Sequence, residues 1–314
     1  MENKFREFLS KYGKKKIAIA THNKADADAI ACAYSLSKII PGSVICSNEE
    51  MKLGARMLAE KIGAEVRELN EIDRKEFEGL LVVDTASYTL IPEAKGWKIL
   101  CIIDHHQVHG KDMEGEFEII DNKSPSSAEI VAGLLPEIDR ASAFALAVGI
   151  IADGARFKSA RKETFAILAE LMGKAGAEYQ ELLELAEPEP SAEAKIAMLT
   201  AMKRVNFVYG GGYVIATTEV GANESDAASL IAEAADVAFV AKWKDRDKET
   251  RISARAGKSV KVPLNEVMSE AGKLLGGAGG GHPKAAGAAL KAHSDEALKK
   301  CVEIFISKAE QADV

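Results

Sequence analysis

The sequence predicts a two-domain α/β protein, with a largely parallel sheet in the N-terminal domain and a smaller mixed α/β domain after it. Three observations predict this. From residue 15 to about 120, short apolar runs alternate with helical patterns, as expected for buried parallel strands joined by crossover helices. Next, "AEPEPSAEA" (186–194) combines two prolines with acidic and small residues, the composition of a linker or a helix start. Finally, the 120 or so residues beyond it contain hairpin and helix patterns of their own, enough for a second core. The boundaries read from this are 1–186, a linker at 187–194, and 195–314.

In order, "KIAIATH" reads as a strand, "ADADAIACAYSLSKII" as a helix, "SVICS" as a strand and "EEMKLGARMLAEKIG" as a helix. "EVREL", "GLLVVDT", "KILCIIDHH" and "FEIID" read as further strands. Helices then dominate residues 126–186, with "AVGIIADG" compatible with strand or helix. Past the linker, "FVYGGGYVIATTEV" reads as a hairpin, "ESDAASLIAEAA" as a helix, "VAFVAKW" and "TRISARAG" as a second hairpin, and "PLNEVMSEAGKLLGG" as a helix.

The 314 residues are 47% hydrophobic and 28% charged, which suits a soluble protein with two cores. Cys32, Cys46, Cys101 and Cys301 lie far apart without C-x-x-C spacing, so neither a disulfide framework nor a thiolate zinc site is expected. The start has no continuous apolar core and no run reaches membrane-spanning length, so a cytoplasmic location without membrane contact is expected. A net charge of −7 argues against a broad basic surface for long nucleic acids and leaves room for a small anionic substrate.

Acidic and imidazole groups gather where strand-like runs end. His22, Asp26 and Asp28 follow the first; Asp84 follows "LLVV"; Asp104, His105 and His106 follow "ILCII"; Asp153 ends "AVGIIA". The carboxyl ends of strands in an open parallel sheet form one crevice, so residues distant in sequence can converge there. Each has an ordinary alternative. Asp84 alone reads as the cap of a following helix, His293 as surface or core, and His109 as structural or peripheral. Three ligands within seven residues at His22–Asp28 are harder to explain without a cation, because burying like charges is costly. Carboxylates with imidazoles and no thiolates suit Mn²⁺, Mg²⁺ or Fe²⁺, and the number of ligands suits two ions. Such a pair serves phosphoester hydrolysis.

In this order and spacing, "HNKADADA", "VVDTAS", "DHHQ" and "GIIADG" resemble the four motifs of the DHH phosphoesterase superfamily. "GGAGGGHPKAAGAAL" resembles the glycine-rich motif of the C-terminal domain associated with DHH proteins, so the resemblance spans nearly the whole chain. It implies His22, Asp26 and Asp84 around one Mn²⁺, with Asp28, Asp84, His105 and Asp153 around a second, Asp84 bridging; Mg²⁺ is compatible. It implies a bridging hydroxide as attacking group, His106 facing the substrate and Asp104 orienting the histidines. Gly279, Gly280, Gly281 and His282, with Ser253 and Arg255 of "SxR", would form the substrate wall, and Arg251 is either a second phosphate contact or a solvated strand edge. An active-site cleft between the domains is then implied. Ala27 stands where many relatives have glycine. Arg156 follows the fourth motif where a threonine-containing turn is usual, and reads as a phosphate contact or a surface ion pair. Ser126 and Ser127 either contact metal-bound water or cap a helix.

The expected substrates are short oligonucleotides or nucleotides: nano-RNA, 3′-phosphoadenosine 5′-phosphate and linear dinucleotides. A RecJ-like exonuclease on longer single strands is the second enzymatic reading. It needs stacking aromatics, yet Phe207, Tyr209, Tyr213 and Trp243 alternate as core residues do. A manganese-dependent pyrophosphatase would carry a different basic motif, and a silent nucleotide-binding subunit would have lost ligands. A homodimer is compatible with the sequence.

Overall fold

A computed structural model describes the chain except residues 49, 107–111, 155, 156, 158, 313 and 314 and the side chain of 312. His109 and Arg156 therefore lie outside the described residues. The chain divides into two compact units, Met1–Glu189 and Pro190–Val314.

In the first unit, α1 (Glu2–Tyr12) precedes β1 (Ala18–Ala20), α2 (Ala27–Ile39), β2 (Val44–Cys46), α3 (Leu53–Ile62) and β3 (Val66–Arg67). Then come β4 (Leu80–Val83), β5 (Ile99–Asp104) and β6 (Phe117–Ile120), followed by α4 (Ser127–Leu134), α5 (Arg140–Asp153), α6 (Lys162–Ala175) and α7 (Tyr179–Ala186). All six strands run parallel in the order β3-β2-β1-β4-β5-β6. The strand order reverses between the adjacent strands β1 and β4, so the segments that leave their carboxyl ends run to opposite sides and leave a crevice, the usual ligand position in open parallel sheets.

Both faces of this sheet are buried, which is why its strands read as unbroken apolar runs. "AVGIIADG" is helical and closes α5. Its apolar residues are buried around the whole circumference because α5 is packed among α2, α4, α6 and α7, a setting in which no amphipathic period survives to separate helix from strand. Alanines on α2 and α5 let these two helices approach closely.

The second unit comprises α8 (Ala192–Arg204), β7 (Asn206–Gly210), β8 (Tyr213–Glu219), α9 (Glu224–Ile231), β9 (Val237–Lys244) and β10 (Glu249–Ala256). It ends with α10 (Leu264–Leu274), β11 (Ala278–His282), β12 (Ala285–Leu290) and α11 (Ser294–Ala312). Its sheet has the order β11-β12-β10-β9-β8-β7, antiparallel except for the parallel β8–β9 pair. One face carries Ile215, Phe239, Ile252 and Ala254 against α10 and α11, and the other carries Ala216, Ala238 and Val240 against α8 and α9. The "GGGH" segment is strand β11, paired with β12. Phe207 and Tyr209, expected in the core from their alternation, are 74% and 77% exposed. They stand on the terminal strand β7, where no element among the described residues covers them. No helix among the described residues is long and apolar enough to cross a membrane.

Candidate metal centre and substrate wall

After β1 the chain turns through Lys24, at φ 57°, and Asp26 caps α2 by accepting from Ala29 N at 3.2 Å. Asp26 is thus the cap that aspartate after a strand commonly is. Asp84 is not: no helix follows it directly, and it holds a left-handed backbone at φ 62°, unusual for any residue but glycine. That conformation turns its side chain at the end of β4, where it is 2% exposed and accepts from Ser127 Oγ at 2.9 Å.

Asp28, fully buried in the first turn of α2, faces the N-terminus of α4. Its two carboxylate oxygens accept from Ser127 N at 2.8 Å and Ala128 N at 2.9 Å, so orphan amides of one helix hold an acid of another. Ser126 caps α4 by accepting from Glu129 N at 3.1 Å, which frees Ser127 for Asp84. The two serines take separate tasks.

Three imidazoles are each oriented through Nδ1. His22 Nδ1 lies 2.8 Å from Asn23 O, His105 Nδ1 3.3 Å from Ser124 O, and His106 Nδ1 2.7 Å from Asp104 Oδ1. With the proton on Nδ1 in each donor contact, Nε2 is left with its lone pair, the arrangement common among metal-binding histidines. His22 Nε2 is 3.4 Å from Asp84 Oδ2 and 3.7 Å from Asp26 Oδ2. His105 Nε2 is 2.9 Å from Asp153 Oδ2 and 3.5 Å from Asp84 Oδ1, yet it is buried and makes no aligned hydrogen bond. His106 differs from these two, with a side chain 53% exposed.

Ligand atoms in three groups lie within 4.8 Å of one another: His22, Asp26 and Asp84; Asp28, His105 and Asp153; and Asp84, His105 and His106. Burial first, then Asp84 and Asp153, push the Asp28 carboxyl well above the usual carboxylate range. Burial also raises Asp84. Burial opposes protonation of His22 and His105, but neighbouring carboxylates outweigh it and lift both to about 10. For Asp104, burial is outweighed by His106, which holds the carboxyl below its ordinary value.

Without a cation the cluster is held together by shared protons. With Asp26, Asp28, Asp84 and Asp153 ionised and the histidines neutral, its four negative charges match two divalent ions. The buried, unbonded His105 Nε2 is the feature a resident ion would satisfy. The donor set therefore fits metal.

Two participants had no strong local signal. Lys52 Nζ, 3.0 Å from Asp26 Oδ2, arrives from a distant turn. Gly149 on α5 lies against Asp28: a Cβ there would come within 2.9 Å of Asp28 Oδ1 and 3.1 Å of Ala31 Cβ. A glycine inside an otherwise apolar helical run costs stability, and that anomaly was its one trace in the sequence.

In the second unit, Arg251, Ser253 and Arg255 point to the α9 side of β10 by strand alternation. Ser253, Gly287 and Gly280 form one row across β10, β12 and β11, and Arg255, Ala285 and His282 form the next. Arg255 is held by Ser225 Oγ at 2.7 Å and Ala254 O at 3.0 Å. Arg251 is half exposed and 3.8 Å from Glu249. The glycines divide by face. A Cβ at Gly279 would meet Met268 O at 2.0 Å, so glycine there admits α10, and Gly281, at φ 131°, packs against Ala286. A Cβ at Gly280 would meet nothing within 4 Å, which leaves an open shelf between Ser253, Arg255 and His282.

The model of the DHH family, N-terminal domain, matches residues 16–150, and that of the DHHA1 domain matches residues 209–311. A Methanocaldococcus jannaschii protein, MJ0988, is 30% identical over 332 residues, covering 98% of this chain and 99% of its own length. In fold, the chain is similar to an exopolyphosphatase-related protein from Bacteroides fragilis, with TM-score 0.81 and 16% identity over 100% of this chain and 98% of that one. It is also similar to Thermus thermophilus RecJ in complex with Mn²⁺, with TM-score 0.55 and 14% identity over 99% of this chain and 54% of that one. Ordered acidic motifs, a buried cluster of carboxylates and imidazoles, and a full-length relative agree: the chain belongs to the DHH family, an N-terminal DHH domain followed by a DHHA1 domain.

Proposed function

We propose that this protein is a metal-dependent hydrolase of phosphoester bonds in short oligonucleotides or nucleotides, among them nano-RNA, 3′-phosphoadenosine 5′-phosphate and linear dinucleotides. The carrying observation is the convergence of four carboxylates and two imidazoles at the ends of β1, β4, β5 and α5, with His105 Nε2 unsatisfied. His22, Asp26 and Asp84 would hold one ion, and Asp28, Asp84, His105 and Asp153 the other. Mn²⁺ suits this mixed oxygen and nitrogen set, with Mg²⁺ as its competitor. Bound divalent ions supply Lewis-acid stabilisation of phosphoryl oxygens and lower the pKa of water.

The chain's own residues supply orientation and hydrogen bonding. Asp104 fixes the His106 ring through Nδ1 and favours its protonated form, so that Nε2, turned outward, carries a proton it can donate to a phosphoryl or leaving-group oxygen. Ser127 holds Asp84, and the α4 amides hold Asp28, so neither carboxylate must reorganise when charge develops. On the second unit, Arg255 offers a forked donor, His282 a further contact, and Gly280 an open shelf for a planar base. A net charge of −7 favours a small anionic substrate over a long strand held by a basic track.

The test is incubation of the full-length protein with Mn²⁺ and, separately, a dinucleotide, 3′-phosphoadenosine 5′-phosphate, a longer RNA and pyrophosphate. Hydrolysis of at least one of the first two, abolished by chelator, is expected. Hydrolysis of none of the four overturns the enzymatic reading, and preference for the longer RNA replaces it with a RecJ-like exonuclease.

A further inference from the structure

One buried carboxylate stands outside the three ligand groups. Glu129, in the first turn of α4, is 4% exposed, and both of its carboxylate oxygens are taken by the start of α6. One accepts from Arg161 Nη2 and the other from Thr164 Oγ1 at 2.6 Å, with Thr164 itself fully buried. Thr164 Oγ1 in turn accepts from Arg161 N at 3.0 Å, so the three residues close a ring. An acid in the first turn of a helix ordinarily answers the helix dipole, but an exposed side chain obtains that benefit equally well. Burying an ion pair adds a desolvation cost that an apolar contact avoids, so this pair speaks for a fixed arrangement more than for stability.

The backbone just before Glu129 is what this ring holds. Ser127 N and Ala128 N donate to Asp28 at 2.8 Å and 2.9 Å, and Glu129 N donates to Ser126 Oγ at 3.1 Å. Ser126 O accepts from Ser124 Oγ at 2.9 Å, and Ser124 O orients His105 through Nδ1. On the other side of the ring, Arg161 immediately precedes α6, the helix that follows Asp153 and the end of α5. Asp28, His105 and Asp153, one whole ligand group, are therefore tied to segment 124–129 or to the connection that Glu129 grips. His22 and Asp26 take their partners elsewhere, from Asn23 O, Ala29 N and Lys52 Nζ. Asp84 receives one bond from Ser127 Oγ, but its backbone is set by the end of β4.

We propose that Glu129 is a positioning residue for the ion site of Asp28, His105 and Asp153. Its bridge to Arg161 and Thr164 holds α4 against the start of α6, which keeps the α4 amides on Asp28 and the Ser124 carbonyl on His105. Loss of the bridge loosens this site and spares the one built from His22 and Asp26. The proposal rests on the two-ion reading of the cluster.

Calorimetric titration of Mn²⁺ into the metal-free, full-length protein tests it, with Glu129→Gln as the variant. Glutamine keeps the size and an acceptor for Thr164 but removes the charge. The wild type is expected to show two binding steps, one of which weakens about 10- to 100-fold in the variant, the range for residues that orient metal ligands. The other step should stay within about twofold, as an independent site does. The weakened step should be the one that Asp153→Asn abolishes, and the spared step the one that Asp26→Asn abolishes. Electron paramagnetic resonance adds a signature that a general loss of stability would not produce. At Mn²⁺ concentrations that give the wild type a spin-coupled pair, the variant should show the hyperfine pattern of an isolated ion. Should Glu129→Gln fail to fold, Arg161→Gln breaks the same bridge from its partly exposed end and should give the same pattern. A wild type that binds fewer than two ions removes the two-ion reading and this proposal with it. Two ions in the wild type, with both steps unchanged in the variants, both weakened alike or only the Asp26 step weakened, overturn the role of Glu129 alone.

Discussion

Asp84 shows best how a single residue can be given over to chemistry. It occupies a left-handed backbone conformation, is almost wholly buried, and lies within reach of both His22 and His105. Asparagine tolerates that backbone and can still accept from Ser127, so Asp84→Asn separates charge from shape. It should lower kcat by roughly 10³-fold or more and reduce bound metal while leaving the far-UV spectrum intact. Near-wild-type turnover would refute the shared role of Asp84. His106→Ala should lower kcat by about 10²- to 10⁴-fold with metal uptake unchanged, because His106 points outward from Asp104.

The acids also set a pH dependence. In the metal-free protein His22 and His105 stay protonated up to about pH 10, and their contribution to stability, complete below about 6.5, is lost as pH rises through 10. The raised Asp28 and Asp84 act in the same direction, since each favours the folded state in its protonated form. Thermal midpoints in chelator should therefore fall as pH rises from 6.5 to 10. Metal must displace those protons, so Mn²⁺ affinity should rise over the same range. Calorimetry in two buffers of different ionisation enthalpy checks this through proton release. At this scale the sequence was informative about chemistry and silent about conformation: eight acidic and imidazole residues could be picked out from their positions after apolar runs, but neither the φ of Asp84 nor the approach of Lys52 leaves a local trace.

At the scale of elements, the centre depends on how closely helices approach. Gly149 on α5 leaves space for the Asp28 carboxylate, so Gly149→Ala should cost about 1–3 kcal/mol of stability and weaken metal binding, measurable by denaturant titration with and without Mn²⁺. The glycines of β11 allow a sharper contrast. Gly279→Ala drives a methyl group into Met268 O and should destabilise the second unit, whereas Gly280→Ala enters open space and should leave stability unchanged while raising KM. Apolar periodicity revealed most strands and helices because it reports which face is buried. It failed where that link breaks. "AVGIIADG" is buried all round, and Phe207 and Tyr209 alternate correctly but lie on a terminal strand whose rings nothing in the sheet covers.

At the scale of the whole chain, the proposed function divides between two units, one gathering carboxylates and imidazoles at a strand-order reversal and the other carrying Arg255, His282 and the open position at Gly280. The first task could be read from sequence because four ordered motifs end apolar runs. The second was only partly legible, since the resemblance treats Gly279, Gly280 and Gly281 alike, whereas pairing with β12 shows that Gly279 admits a helix and Gly280 alone opens outward. The central claim is that the cluster around Asp84 is a two-metal centre. Titration of Mn²⁺ into metal-free, full-length protein, followed by calorimetry and by elemental analysis of the bound fraction, tests it most directly. Two ions per chain are expected, with fewer than two in Asp84→Asn; no bound Mn²⁺, or two ions still bound in the variant, would rule out a centre shared through Asp84.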